Sequence, residues 1–182
     1  VLVRASSQMR EIEERFINQA ISYRVIGGPR FYERKEIRDA LAYFRLVAQP
    51  RDDLAFERIV NSPKRGIGAS SLQKLTQYAR ASSLSLLEAT MSIIGTDELG
   101  AKPRHALAGF VDQIARWRRE MEQMGHVDLA GVILDESGYT GMLQAERTAE
   151  AHGRLENLKE LLRAMEEFEN LQGFLEHVSL VM

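Results

Sequence analysis

The sequence predicts a mainly α protein in two unequal parts: a short β-α-β-α stretch over residues 1–49 and an all-helical region over residues 50–182. Three observations predict it. Apolar residues recur at helical spacing along most of the chain. The short strand-like runs, "VLVR" at 1–4 and "SYRVIGG" at 22–28, fall only in the first part. The alternation of strand and helix then stops at Gln49-Pro50, where the proline ring cannot continue a helix.

Each element has its own justification. After the first apolar run, Ser6-Ser7 precede a helical stripe of Met9, Ile12, Phe16, Ile17 and Ala20. Gly27-Gly28 close the second run. A helix from about Arg34 turns Ile37, Leu41, Phe44 and Val47 inward. Strand, helix, strand, helix is the cadence of a parallel α/β unit, and two strands do not make such a sheet without neighbours. Asp52-Asp53 mark the next helix start, ahead of Leu54, Ile59 and Val60. Ser70 and Ser71 are N-cap residue types before Leu72, Leu75, Tyr78 and Ala79. Ser85 and Glu88 have capping-box spacing. Pro103 suits a first helical turn, followed by Leu107, Phe110, Ile114, Trp117 and Met121. Asp128 is placed to cap Leu129, Val132 and Ile133, and Ser137-Gly138 to close that helix. A run from about Thr148 to Asn170 carries Leu155, Leu158, Leu162 and Met165, and Phe174, Leu175 and Val178 begin one more helix.

Composition narrows the class. The chain has 182 residues, 45% of them hydrophobic and 27% charged, enough to bury a sizeable core. With no cysteine it is no disulfide scaffold, and an intracellular, cytoplasmic protein is expected. No apolar run reaches bilayer-spanning length, so no membrane partner is expected. The chain opens on Val1 rather than methionine and stops on the apolar "HVSLVM", so a piece of a longer protein is expected. The net charge of −2 is unevenly spread: residues 1–80 hold 15 Lys/Arg against 9 Asp/Glu, and residues 81–182 hold 9 against 17. A basic first part suits an anionic partner there, whereas the acidic second part argues against nucleic acid coating the whole surface.

Familiar catalytic patterns are absent. There is no G-x-x-x-x-G-K-[ST] phosphate loop, no G-x-G-x-x-G and no G-x-S-x-G, and His105, His126, His152 and His177 are scattered. Two clusters remain. In "NSPKRGIGASSLQKL", residues 61–75, Lys64 and Arg65 stand directly before Gly66-Ile67-Gly68 and a helix start. Glycines let another backbone approach, and a helix N-terminus with nearby cations favours anions. The alternative is a tight helix–helix turn with solvated cations. In "GGPRFYERKEIRD", residues 27–39, Arg30, Arg34, Lys35 and Arg38 surround Phe31 and Tyr32. Arginine with aromatic rings suits single-stranded nucleic acid. The alternative is that the rings anchor the helix while Glu33, Glu36 and Asp39 pair with the cations. Arg34 at a helix start opposes the macrodipole, so its placement needs a reason.

Residues 23–75, "YRVIGGPRFYERKEIRDALAYFRLVAQPRDDLAFERIVNSPKRGIGASSLQKL", closely resemble UvrD/PcrA/Rep-type superfamily 1 DNA helicases. "VLVRASSQMREIEERF" before them is similar too, and "ILDESGYTGML", "RLENLKELL" and "FLEHVSL" follow in order, more loosely. The resemblance implies that residues 1–49 belong to the second RecA-like motor domain, 2A, and residues 50–182 to 2B, a helical domain inserted into it. It implies that Arg30, Phe31, Tyr32, Arg34 and Glu36 form the motif IV region, coupling ATP and single-stranded DNA. It implies that Lys64, Arg65, Gly66, Ile67, Gly68, Ser70 and Ser71 form a helix-hairpin-helix-like GIG turn that contacts duplex DNA without reading its sequence.

The implied whole protein is an ATP- and magnesium-dependent 3′→5′ DNA helicase of repair or replication restart, with DNA and repair proteins as partners. This chain alone lacks the phosphate loop and is expected to be inactive and to hold no cofactor. Two other classes stay open: a stand-alone helical DNA-binding module without a motor, and a protein-interaction scaffold whose acidic 81–182 region docks a partner. A phosphate loop upstream in the parent gene would decide between them.

Overall fold

The computed structural model describes residues 29–182, together with Ile12, Arg15, Phe16, Gln19 and Ile21. Among the described residues the chain forms helices and no strand. The mainly α expectation holds there, and the expected strands at 1–4 and 22–28 lie outside the described residues. The helices are α1 (Pro29–Tyr32), α2 (Lys35–Ala48), α3 (Asp53–Ile59), α4 (Ala69–Ser82), α5 (Leu86–Ile93), α6 (Ala101–Glu120), α7 (His126–Glu136), α8 (Tyr139–Ala145), α9 (Ala149–Met165) and α10 (Leu171–Val181).

Local chemistry sets most of the boundaries. Asp52 caps α3 by accepting from the Ala55 amide at 3.0 Å, as its position predicts. Ser85 and Glu88 form the expected capping box at α5, and Asp53 adds a bond from the Leu86 amide at 2.8 Å. Thr148 caps α9 through the Ala151 amide. Gly138 takes φ +79° directly after Ser137, the left-handed turn that ends α7. Two expectations are corrected. Asp128 does not cap α7: Gly125 occupies the cap and Asp128 lies in the first turn, where its charge still suits the helix dipole. The run expected to reach Asn170 stops at Met165, and Asn170 instead caps α10 through the Gly173 amide at 2.9 Å.

The core is built around α2, which packs against α3, α6, α7, α9 and α10. Ile37, Leu41, Phe44 and Val47 are all buried, as their spacing predicts. Tyr43 meets Trp117 and Tyr139 edge-on, with ring centroids 6.2 and 6.3 Å apart. The C-terminus of α2 is held by Arg118, which donates to the Val47 carbonyl at 2.6 Å. Buried polar groups on α2 have partners too. Asp39 accepts from the Tyr139 hydroxyl at 2.8 Å and pairs with Arg58 at 2.7 Å. Burial, and then the neighbouring Asp39 carboxylate, push the Tyr139 phenol well above its ordinary pKa, so it stays a donor. The sequence boundary at residues 49 and 50 therefore runs along a densely packed seam. By contrast, α4 packs chiefly on α5, which also carries α3 and α6.

Candidate nucleic-acid interface

Residues 60–68 join α3 to α4 and are held from inside by two side chains. Asn61 spans the turn: its Nδ2 donates to the Ile67 carbonyl at 2.9 Å and its Oδ1 accepts from the Arg65 amide at 2.8 Å. Arg65 points inward. Its Nη1 donates to the carbonyls of Ile59 (2.9 Å), Val60 (3.3 Å) and Pro63 (3.3 Å). Its Nη2 reaches the Tyr43 hydroxyl at 2.7 Å and the Ser137 carbonyl at 3.3 Å. The guanidinium also lies 5.0 Å from the Phe110 ring centroid and 6.0 Å from that of Tyr43. Tyr43 in turn donates to the Ser62 carbonyl at 2.7 Å. Burial raises the Tyr43 phenol pKa, and the Arg65 cation opposes that rise.

The resemblance implies duplex contact by Arg65 as well as Lys64, but the Arg65 guanidinium is turned inward. The planar fork of Arg65 ties the turn to α2 and to the end of α7, which a lysine could not do in the same way. Lys64 is exposed and forms no ion pair with a described residue.

The glycines differ as well. Gly66 has φ +76°, a conformation that a side chain disfavours, and it is exposed. Gly68 has φ −79° and is the N-cap of α4, with no side chain capping the free amides. Ser70 and Ser71 therefore are not the caps: they sit in the first turn, Ser70 exposed and Ser71 half-buried, and the Ser71 amide bonds the Gly68 carbonyl at 3.1 Å. Ile67 between the glycines is 4% exposed and anchors the turn in the core.

One participant was missed in the sequence. Lys102, in the first turn of α6, lies over Gly66: a Cβ placed there would be 3.3 Å from the Lys102 Cε and 3.9 Å from its Nζ. The available signal was Gly100-Ala101, which opens α6 as Gly68-Ala69 opens α4.

The second cluster is closed rather than open. Phe31 and Tyr32 are each 2% exposed and meet edge-on at 5.3 Å, which matches the alternative that they anchor the helix. Arg34 lies 5.7 Å from the Phe31 centroid and donates to Asn157 Oδ1 at 2.6 Å. Asn157 passes the link on, its Nδ2 donating to Glu36 Oε1 at 2.5 Å, with both residues buried. The asparagine amide thus joins the cation and the carboxylate of the α2 start to α9. The side chain of Arg30 is outside the described residues. Among the described residues no group of three or more His, Asp or Glu is placed to hold a metal ion, and no helix is long and apolar enough to cross a membrane.

Comparison with known proteins gives this geometry a context. The chain is 48% identical over 182 residues to a probable DNA helicase II homolog of Rickettsia felis, covering all of this chain and 28% of that protein. It is 42% identical over 171 residues to the ATP-dependent DNA helicase PcrA of Bacillus subtilis, covering 93% of this chain and 23% of that protein. It is 35% identical over 191 residues to PcrA of Staphylococcus aureus, covering 26% of that protein. The chain thus spans about a quarter of the length of these relatives. The family model for the UvrD-like helicase C-terminal domain matches residues 1–181, and the chain belongs to that family.

Proposed function

We propose that this chain is the part of an ATP-dependent 3′→5′ DNA helicase that grips duplex DNA ahead of the motor and carries motif IV of the motor itself. The observation that supports the grip most directly is the turn at Gly66: an exposed backbone at φ +76°, beside an exposed Lys64 that pairs with no described carboxylate, leading into a helix whose first amides have no side-chain cap. Free amides and a lysine favour phosphate oxygens whatever the bases. A translocating motor needs a contact of that kind. Residues 1–49 and 50–182 are read as parts of 2A and 2B, joined by the helix α2 and its neighbours.

In this reading Lys64, Gly66, Gly68, Ser70 and Ser71 face the phosphates, while Arg65 and Ile67 hold the turn in shape. Arg34 and Glu36 act through Asn157, relaying the state of the motif IV region into α9. The sequence has no phosphate loop, and no step of ATP hydrolysis is assigned to this chain's residues. ATP and magnesium are assigned to the rest of the helicase, and repair proteins are its expected partners.

The test is duplex binding by the 182-residue chain, measured by fluorescence anisotropy on two duplexes of unrelated sequence. Binding that is equal on both, weakens with salt and falls on Lys64→Ala supports the grip. No binding, or a strong preference for one sequence, would overturn it. In the whole helicase, Arg34→Ala is expected to lower DNA-stimulated ATPase while leaving duplex affinity intact.

A further inference from the structure

We propose that Lys102 supplies the second cationic contact to the duplex backbone at the glycine turn, the role that Arg65 is oriented away from. The inference rests on the reading of the turn as a duplex grip. Its own observation is the position of Lys102, whose Cε and Nζ lie 3.3 and 3.9 Å from where a Cβ on Gly66 would stand. Lys102 is exposed and, like Lys64, pairs with no described carboxylate. Its charge is therefore available to a ligand that lies along the turn.

The placement is held from several directions. Pro103 follows it directly, its ring atoms 3.8 and 3.9 Å from where a Cβ on Gly100 would stand. The loop before α6 is tied down by Arg104, which donates to the Thr96 carbonyl and pairs with Asp97, both at 3.1 Å. Lys74 reaches across from α4 to the Glu98 carbonyl at 3.1 Å, so the helix that begins at the turn also holds the loop that delivers Lys102. Two lysines from segments far apart in sequence therefore flank one exposed glycine. That arrangement suits a chain of phosphates better than a single small anion, because the two charges are carried on separate flexible stems. It also gives the glycine at position 66 a second reason beyond its φ: a side chain there would displace the lysine stem.

Salt titration of duplex binding tests this with Lys102→Met, which keeps an apolar stem of similar reach beside Gly66 and removes the charge. The comparison proteins are wild type, Lys64→Met, the double variant and Lys159→Met, whose lysine pairs with Glu156 elsewhere on the surface. Each of Lys64→Met and Lys102→Met is expected to flatten the slope of log K against log salt by about 0.9, and the double variant by about 1.8. The affinity ratio between about 50 and 200 mM salt should shrink roughly threefold for each lysine charge removed. Lys159→Met should follow wild type. If Lys64→Met flattens the slope and Lys102→Met does not, the grip stands and the role of Lys102 is overturned. If Lys159→Met flattens it equally, the effect is bulk charge and the role is likewise overturned. If wild type binds no duplex, or Lys64→Met is without effect, the underlying reading fails and this inference falls with it.

Discussion

Helices α2 and α4 are each fourteen residues long and each amphipathic in sequence, yet they have opposite places in the molecule. On α2, ten residues are buried, including the polar Glu36 and Asp39. On α4 only Leu75 and Ala79 are, with Leu72 and Tyr78 partly covered. The difference lies in what surrounds each apolar stripe. Five later helices converge on α2, whereas α4 leans chiefly on α5 and buries far less of its surface. A helix in the first position can transmit strain and is poorly suited to contact DNA directly. One in the second position can present its N-terminus to a ligand at little cost to the core. Arg65 connects the two, rooted in the turn before α4 and bonded to Tyr43 of α2.

Removal of α2 is expected to have the largest effect. The division expected at residue 49 suggests that a chain of residues 51–182 folds cooperatively. The packing predicts the reverse: the loss of Ile37, Leu41, Phe44, Leu46 and Val47, all essentially fully buried, empties the centre of the core. Each such side chain is worth about 2–5 kcal/mol, against a total stability of only about 5–15 kcal/mol. The shortened chain is expected to lose near-ultraviolet circular dichroism and to melt without a cooperative transition. A sharp calorimetric transition would show that the other helices close over the gap.

Next in size are the adjacent cations. Arg65→Ala removes the guanidinium that donates to the Val60, Pro63 and Ser137 carbonyls and to the Tyr43 hydroxyl and should cost about 2–4 kcal/mol in urea unfolding. Lys64→Ala should change stability by less than about 0.5 kcal/mol. Ile67→Ala should resemble Arg65→Ala, at about 2–4 kcal/mol, because its side chain is buried. Equal stability for Lys64→Ala and Arg65→Ala would mean that the inward bonds of Arg65 contribute nothing in solution.

How much of this was legible follows from the range of each interaction. The caps at Asp52, Ser85 and Thr148 use partners three residues away, so the sequence displays them directly. The glycine at the end of α7, Gly138, was legible for the same reason, whereas nothing local separates Gly66, which takes a positive φ, from Gly68, which does not. The direction of Arg65 was not, because its Tyr43 and Ser137 partners lie 22 and 72 residues away and an arginine beside a glycine turn looks the same in either orientation. The Glu36–Asn157 bond spans 121 residues and left no local trace, and Lys102 meets Gly66 only through folding. The mainly α class and the turn were therefore readable from periodicity and glycine placement, while the division of labour within the turn was not.

Gly66→Ala is expected to act on the α4 side alone. Forcing a Cβ to φ +76° should cost about 1–2 kcal/mol, and the crowding at Lys102 Cε can be relieved by moving that flexible stem. Duplex affinity should fall while α2 and its neighbours keep native hydrogen-exchange protection. Protection lost along α2 instead would show that the turn and the core helix are a single cooperative unit.

The smallest effect belongs to the outer support of the α2 socket. Trp117 backs Tyr43, and its indole donates to Glu136 at 2.7 Å, while Arg116 forks onto the same carboxylate at 2.9 and 2.6 Å. Those bonds, from Arg116 first and then Trp117, hold the Glu136 carboxyl below its ordinary pKa. The unfolded chain thus takes up this proton more readily than the folded one. The contribution is complete above the unfolded pKa of about 4.3 and is lost as the pH falls through the depressed folded value. Because the two side chains of the pair are 40% and 37% exposed, the solvent-screened effect should stay below about 1 kcal/mol. Glu136→Gln is expected to lower the urea midpoint slightly at about pH 7, with the gap to wild type narrowing as the pH falls below about 4.3 and the carboxyl takes up its proton. A gap that persists unchanged at low pH would assign the difference to the geometry of the Trp117 bond rather than to the carboxylate charge.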